Sequence, residues 1–207
     1  MIENNTVVVQ DSISQLIDII QTQICIPVVA SMKRLELFLK TDLQICVLQN
    51  IHISLLGHMV NLLHEHGRKA LVHVDMINGI AADEYGTEYL CQKLKCDGII
   101  TSKTRIIETT KKNKKIAIQR MFLIDSKSIE RGIETIQKSN PDIVEVMPAI
   151  AYNIIPFIKE HVSMPIIGGG LLKSEKDIMQ GLSVGCTAFT VSDLDLCVQF
   201  FQSKNTL

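Results

Sequence analysis

The chain has 207 residues, 46% of them apolar, and a formal net charge of −1. That length buries a substantial core and suits one domain, while the near-neutral charge excludes recognition of nucleic acid by a bulk basic field, so an anionic partner has to meet a local patch. No basic-then-apolar leader and no apolar run of membrane-spanning length is present, which sets the expectation of a cytoplasmic protein with no membrane partner.

In chain order, residues 1–24 carry a leading helix, QDSISQLIDIIQ, and short apolar runs then alternate with amphipathic stretches to the end of the chain. The predicted strands are 26–31, 45–49, 69–75, 98–102, 116–122, 142–148, 165–169 and 188–192. SLLGHMVNLLHEHG should end at Gly67, SKSIERGIETIQKSNP should run from Ser126 to just before Pro141, and SEKDIMQGLSVG should run from Ser174 to Gly185. Eight strands with intervening helices predict an α/β fold, a compact TIM-type (β/α)8 barrel over 25–192. An extra N-terminal helix precedes it, and a C-terminal helix and tail over 193–207 complete a single domain of 1–207. A doubly wound open sheet competes, but it more often has fewer strands and its glycine-rich loop after the first one. Here that loop is seventh. The six cysteines lack Cys-x-x-Cys spacing and read as buried thiols.

PIIGGGLL supplies the strongest chemical motif. Gly168, Gly169 and Gly170 let backbone N–H groups approach a ligand, and the next helix N-terminus adds partial positive charge, a combination suited to phosphate. The loops after the last two strands of such a barrel frequently bind phosphate. A plain strand-to-helix turn is the alternative.

Strand alternation sorts the polar residues. If Val72 and Val74 face helices, Leu71, His73 and Asp75 turn inward; Glu145 turns inward between Val144 and Val146. The same parity is expected to place Ile99, Thr101 and Lys103, and Ala188, Thr190 and Ser192, inside the barrel. Interior carboxylates need donors, for which Lys103, Arg120 or ligand hydroxyls are the candidates. Asp75 has a second reading as a loop cap. His73 reads as a hydrogen-bonded core histidine, since no clustered second ligand gives it metal spacing, and no metal site is expected.

Lys33, Arg34, Lys103, Arg105, Arg120 and Lys173 lie at or just after strand C-terminal ends and should ring the same mouth as the glycine loop. The run of Lys111, Lys112, Lys114 and Lys115 precedes a strand and should lie on the opposite face, as a solvated loop or a sequence-independent contact to RNA phosphates. With no tryptophan and few other aromatics, RNA recognition on an aromatic platform is not expected.

VHVDMINGIAADEYG, DGIITSK, IQRMFLIDS, PDIVEVMPA and PIIGGGLL, in this order, resemble the glycerol-3-phosphate-responsive antiterminator family across most of the chain. FTVS stands where that family carries a serine-rich strand end, so Val191 removes one hydroxyl. The resemblance implies a non-enzymatic regulator that binds glycerol-3-phosphate and the mRNA leader of glycerol catabolism operons, promoting read-through of a terminator, without a cofactor. On that reading Gly168, Gly169, Gly170, Thr190 and Ser192 hold the phosphate, and Asp75 and Glu145 accept from the glycerol hydroxyls. Lys103 and Arg120 balance the carboxylates or reach the phosphate. Lys33, Arg34, Arg105, Lys173 and the Lys111–Lys115 run are the candidate RNA contacts, and self-association stays open. A Gly169→Asp substitution should then abolish binding with the fold intact. The alternative is a phosphate-binding barrel enzyme of phosphodiesterase or prenyltransferase type, for which paired histidines, metal-binding carboxylates or a long apolar channel are not evident.

Overall fold

The computed structural model describes residues 2–205, with side chains described from 13 to 204. Its barrel strands are β1 (Cys25–Val29), β2 (Ile45–Leu48), β3 (Lys69–His73), β4 (Gly98–Thr101), β5 (Ile116–Phe122), β6 (Ile143–Met147), β7 (Ile166–Gly169) and β8 (Ala188–Val191), and Ile51–His52 pairs with Ile77–Asn78 in a separate two-stranded sheet. Each barrel strand pairs in parallel with its sequence neighbour and β8 pairs with β1, which closes the barrel. All eight expected strands are present. β-Branched and leucine side chains fill both faces of strands buried on both sides, so their runs stand out from the amphipathic helices between them.

Helix α1 (Ile2–Gln23) precedes β1, and α2 (Met32–Phe38), α3 (Ile53–Glu65), α4 (Glu84–Glu88), α5 (Thr104–Lys112), α6 (Ser126–Ser139), α7 (Ile155–His161), α8 (Glu175–Ser183) and α9 (Leu194–Asn205) follow the successive strands. Asp125 caps α6 in a capping box with Ser128, and Asn140 ends it in a left-handed turn before Pro141. Gly67, at φ +68, follows the last turn of α3, where a left-handed residue favours glycine.

Two apolar clusters follow from strand alternation. Ile26, Ile45, Leu71, Ile118, Ile143 and Ile167 point into the barrel, and Leu16 and Ile20 of α1 belong to the same cluster. The leading helix therefore plugs the end where the strands begin. Gln23 at its last turn fixes that docking, donating to the Cys25 and Ile45 carbonyls at 2.9 and 2.8 Å and accepting from the N–H groups of Gln44 and Ile45. Val72, Val144, Val146 and Phe189 face outward into the cluster shared with the surrounding helices.

One expectation of strand parity is reversed. Ile100, not Ile99, lies in the interior cluster, in register with Ile118. Ile99 joins the outer shell, and Thr101 follows it off the interior face. Gly98 leaves no side chain to mark the inward position, so a strand apolar on both faces gave no parity.

The strand N-terminal end is also locked by two carboxylates. Asp97 accepts from the Ala70 N–H and sits 2.8 Å from His64 Nε2 and 3.3 Å from Lys69 Nζ. Asp142 accepts from the Ala117 N–H and faces Lys111 Nζ at 3.6 Å. All six cysteines are free and buried, and burial pushes the Cys25 and Cys186 thiols up to about 12, so those two stay as neutral packing groups at pH 7.

Candidate functional site

At the opposite, C-terminal end of the strands, the interior changes from apolar to polar. Glu145 of β6 is fully buried and inward, two residues past Ile143, in register with Arg120 of β5. Arg120 Nε donates to Glu145 Oε2 at 2.6 Å, and Thr190 Oγ1 of β8 donates to Oε1 at 2.7 Å. The arginine side chain is 10% exposed. A buried carboxylate is tolerated here because cation and hydroxyl together satisfy it.

Gly169 makes room for that arrangement. A Cβ built on it would lie 2.7 Å from Thr190 Oγ1 and 2.8 Å from Glu145 Oε1. This overturns the expectation for Gly169→Asp, because a side chain there breaks the carboxylate cluster before it tests any phosphate contact. Gly170, at φ +80, needs glycine for its backbone as the chain leaves β7. Gly168 points the other way: its Cβ position is packed against Ala149 and the Phe189 ring, on the helix side of β7.

The helix after the loop is less open than its sequence suggests. Ser174 caps α8 in a capping box, and Asp177 accepts from the Lys173 N–H, the Ser174 N–H and the Ser174 hydroxyl. Those bonds hold the Asp177 carboxyl below its ordinary range. An anion near β7 would therefore meet the Gly169–Gly170 backbone rather than a bare helix terminus. The Ser174–Asp177 spacing was visible in the sequence as a capping signature.

Asp75 behaves as a loop cap. It lies in a single 3-10 turn just past β3, and its carboxylate accepts from the Thr101 hydroxyl at 2.9 Å and the Ser102 N–H at 3.1 Å. Lys103 Nζ is 3.7 Å away and donates to the Ala82 carbonyl at 2.8 Å. Asp75 and Lys103 thus stitch the loops after β3 and β4 together, and neither extends the strand alternation expected of it. Ser192 is also corrected, being exposed past the end of β8, with its carbonyl accepting from Arg34 Nη2 at 2.7 Å.

His73 departs furthest from expectation. It is inward on β3, above Leu71 and in register with Ile100, and 2% exposed. Neither ring nitrogen has a hydrogen-bond partner, and the Asp75 carboxylate is 4.0 Å from Nδ1. Burial, then the charge of Arg120, pulls its pKa down to about 4, so the ring is neutral at pH 7.

The basic residues divide as expected between two faces, but they are not equally available. Lys33 and Lys173 are exposed at the mouth, while Arg34 is spent on Ser192 and Arg105 faces Glu84 at 3.3 Å. Lys114 and Lys115 line a hollow of about 180 Å³ at the base with Ile13, Leu16, Ile19 and Asp97. Lys112 and Lys114 are exposed there, and Lys111 bridges to Asp142 and the Asn140 carbonyl. Among the described residues, no group of three or more His, Cys, Asp or Glu side chains is placed to hold a metal ion, and no helix is long and apolar enough to cross a membrane.

A closed parallel barrel, packed below and polar above, with a buried Arg–Glu–Thr network against a glycine loop, defines a (β/α)8 protein built around its strand C-terminal face. Residues 25–197 match the family model described as glycerol-3-phosphate responsive antiterminator, and the chain belongs to that family. The glycerol uptake operon antiterminator regulatory protein of Listeria monocytogenes is 33% identical with a TM-score of 0.81, over 83% of this chain and 93% of that one. A glycerol uptake operon antiterminator-related protein of Thermotoga maritima is 27% identical with a TM-score of 0.71, over 84% and 96% of the two chains. The uncharacterized protein YgcP of Escherichia coli is 26% identical over 81% of this chain and 89% of its own length.

Proposed function

We propose that this chain is a transcription antitermination regulator that binds glycerol-3-phosphate at the barrel mouth and contacts the mRNA leader of glycerol catabolism operons, promoting read-through of a terminator. The observation that carries the ligand half is the Arg120–Glu145–Thr190 network packed against Gly169. Arg120 gives Nε to Glu145, and that bond orients the rest of its guanidinium as a rigid cation for a phosphate or hydroxyl. The Gly169–Gly170 backbone supplies close approach without a side chain in the way. Glu145 acts here as a positioning residue, its oxygens committed to Arg120 and Thr190 rather than reserved for the ligand.

Family membership supports the regulatory rather than catalytic reading. Coupling follows if the ligand binds one arrangement of the mouth loops more tightly, which shifts the population toward the RNA-competent state. The Arg34–Ser192 bond ties the loop after β1 to the loop after β8, so a ligand at β7 and β8 has a direct mechanical neighbour there. Lys33 and Lys173, exposed on the same rim, are the RNA contacts best placed to sense it.

The test is to titrate the full chain with glycerol-3-phosphate by calorimetry and to measure retention of an operon leader transcript with and without the ligand. Saturable binding and a ligand-dependent change in retention are expected. Failure to bind either molecule contradicts the reading, and turnover of a phosphodiester or prenyl diphosphate establishes an enzyme instead.

A further inference from the structure

We propose that His73 is the hydroxyl-recognising side chain of the mouth site, the residue by which that site tells glycerol-3-phosphate from a simple alkyl phosphate. The inference rests on the proposal that the mouth binds a phosphate ester and adds the residue that reads its carbon skeleton.

The two carboxylates of the mouth are already committed. Asp75 accepts from Thr101 and Ser102, and Glu145 accepts from Arg120 and Thr190. His73 is buried on the inward face of the same barrel end with both nitrogens unpartnered. Buried polar groups are nearly always hydrogen-bonded, so an orphaned imidazole beside a charged network marks a partner that binds from outside the protein. Its Nδ1 lies 4.0 Å from the Asp75 carboxylate, and it follows Leu71 at the C-terminal end of its strand, which places it at the mouth rather than in the apolar core below.

The chemistry of the ring selects the partner. Neutral imidazole offers one N–H donor and one lone-pair acceptor. A hydroxyl is both donor and acceptor and satisfies whichever nitrogen faces it, whereas a phosphate oxygen only accepts and is better served by Arg120 and backbone N–H groups. An alkyl chain in the same place would leave the ring unpartnered and desolvated. His73 therefore discriminates by the hydrogen bond it gains only from a ligand that carries a hydroxyl.

Calorimetry with glycerol-3-phosphate and with propyl phosphate, which has the phosphate and carbon chain but no hydroxyls, tests this directly. The wild-type chain should prefer glycerol-3-phosphate by about tenfold to a hundredfold, the range one buried hydrogen bond commands. His73→Phe should bind both esters alike at the weaker affinity, and His73→Gln, which keeps a donor and an acceptor, should recover part of the preference. Independently of any variant, the His73 ring nitrogen NMR signals should move on adding glycerol-3-phosphate and stay put with propyl phosphate. An unchanged preference in His73→Phe, or ring signals blind to glycerol-3-phosphate while it binds, overturns the role of His73 and leaves the mouth site standing. Binding of neither ester to the wild-type chain removes the site itself.

Discussion

The two ends of the barrel use the same residue types for opposite purposes. At the base, Asp97 and Asp142 each accept a strand backbone N–H and face a partly exposed lysine, while α1 seals the opening with Leu16 and Ile20. At the mouth, Glu145 takes its bonds from side chains, and His73 is left without a partner. Carboxylates that staple backbone serve stability. Those that hold a cation in place beside an orphaned donor and acceptor prepare a site.

The largest expected effect separates the ends most sharply. Glu145→Ala leaves Arg120 buried without its counter-charge and should cost about 3–5 kcal/mol of stability in denaturant unfolding, together with ligand binding. Loss of binding with stability unchanged would mean that the pair is solvated rather than buried. At the base, Ile20→Ala should cost about 2–5 kcal/mol through the cavity it leaves, yet leave ligand affinity within about twofold of wild type when assayed well below its melting point. A matching loss of affinity would tie α1 to the site.

Acid provides a finer probe. The folded-state pKa of His73, about 4, lies below its ordinary value of 6.5, so between those limits the unfolded chain takes up a proton that the folded chain refuses. The His73 contribution is intact above pH 6.5 and is lost as pH falls toward 4. It amounts to about 3 kcal/mol at most, since one pKa unit is worth about 1.4 kcal/mol. Denaturation midpoints of wild type and His73→Phe followed over that window should diverge, with the variant flatter; parallel curves would show that the ring protonates freely in the folded state. The smallest effect on stability, within about 0.5 kcal/mol, is expected for Lys33→Glu with Lys173→Glu. That double variant should nevertheless lose leader-transcript retention in a filter-binding assay, while Lys112→Glu with Lys114→Glu keeps it. The reverse outcome would move the RNA surface to the base.

Much of this division was legible in the sequence, for reasons that show where the rest was hidden. The strand runs stood out because both faces are buried, and valine on either side of Glu145 gave its direction without ambiguity. β4 offered no such contrast, since Gly98, Ile99 and Ile100 present an apolar run around a position without a side chain, and its parity came out reversed. Asp75 and Ser192 lie past the ends of their strands, where alternation no longer applies, and their roles were set by loop hydrogen bonds. The capping box at Ser174 and Asp177 was readable, but its consequence for the phosphate required seeing which N–H groups it occupies. The state of His73 depends on what all its spatial neighbours have already bonded, which no local pattern records.

The central claim is that the mouth, not the base, holds the phosphate ester through Arg120. Calorimetric titration of wild type, Arg120→Lys and Lys114→Glu with glycerol-3-phosphate tests it most directly. One molecule should bind per wild-type chain, Lys114→Glu should match it, and Arg120→Lys, which keeps the charge but loses the planar guanidinium, should bind at least about tenfold more weakly. Wild-type affinity in Arg120→Lys, or a loss confined to Lys114→Glu, would contradict it.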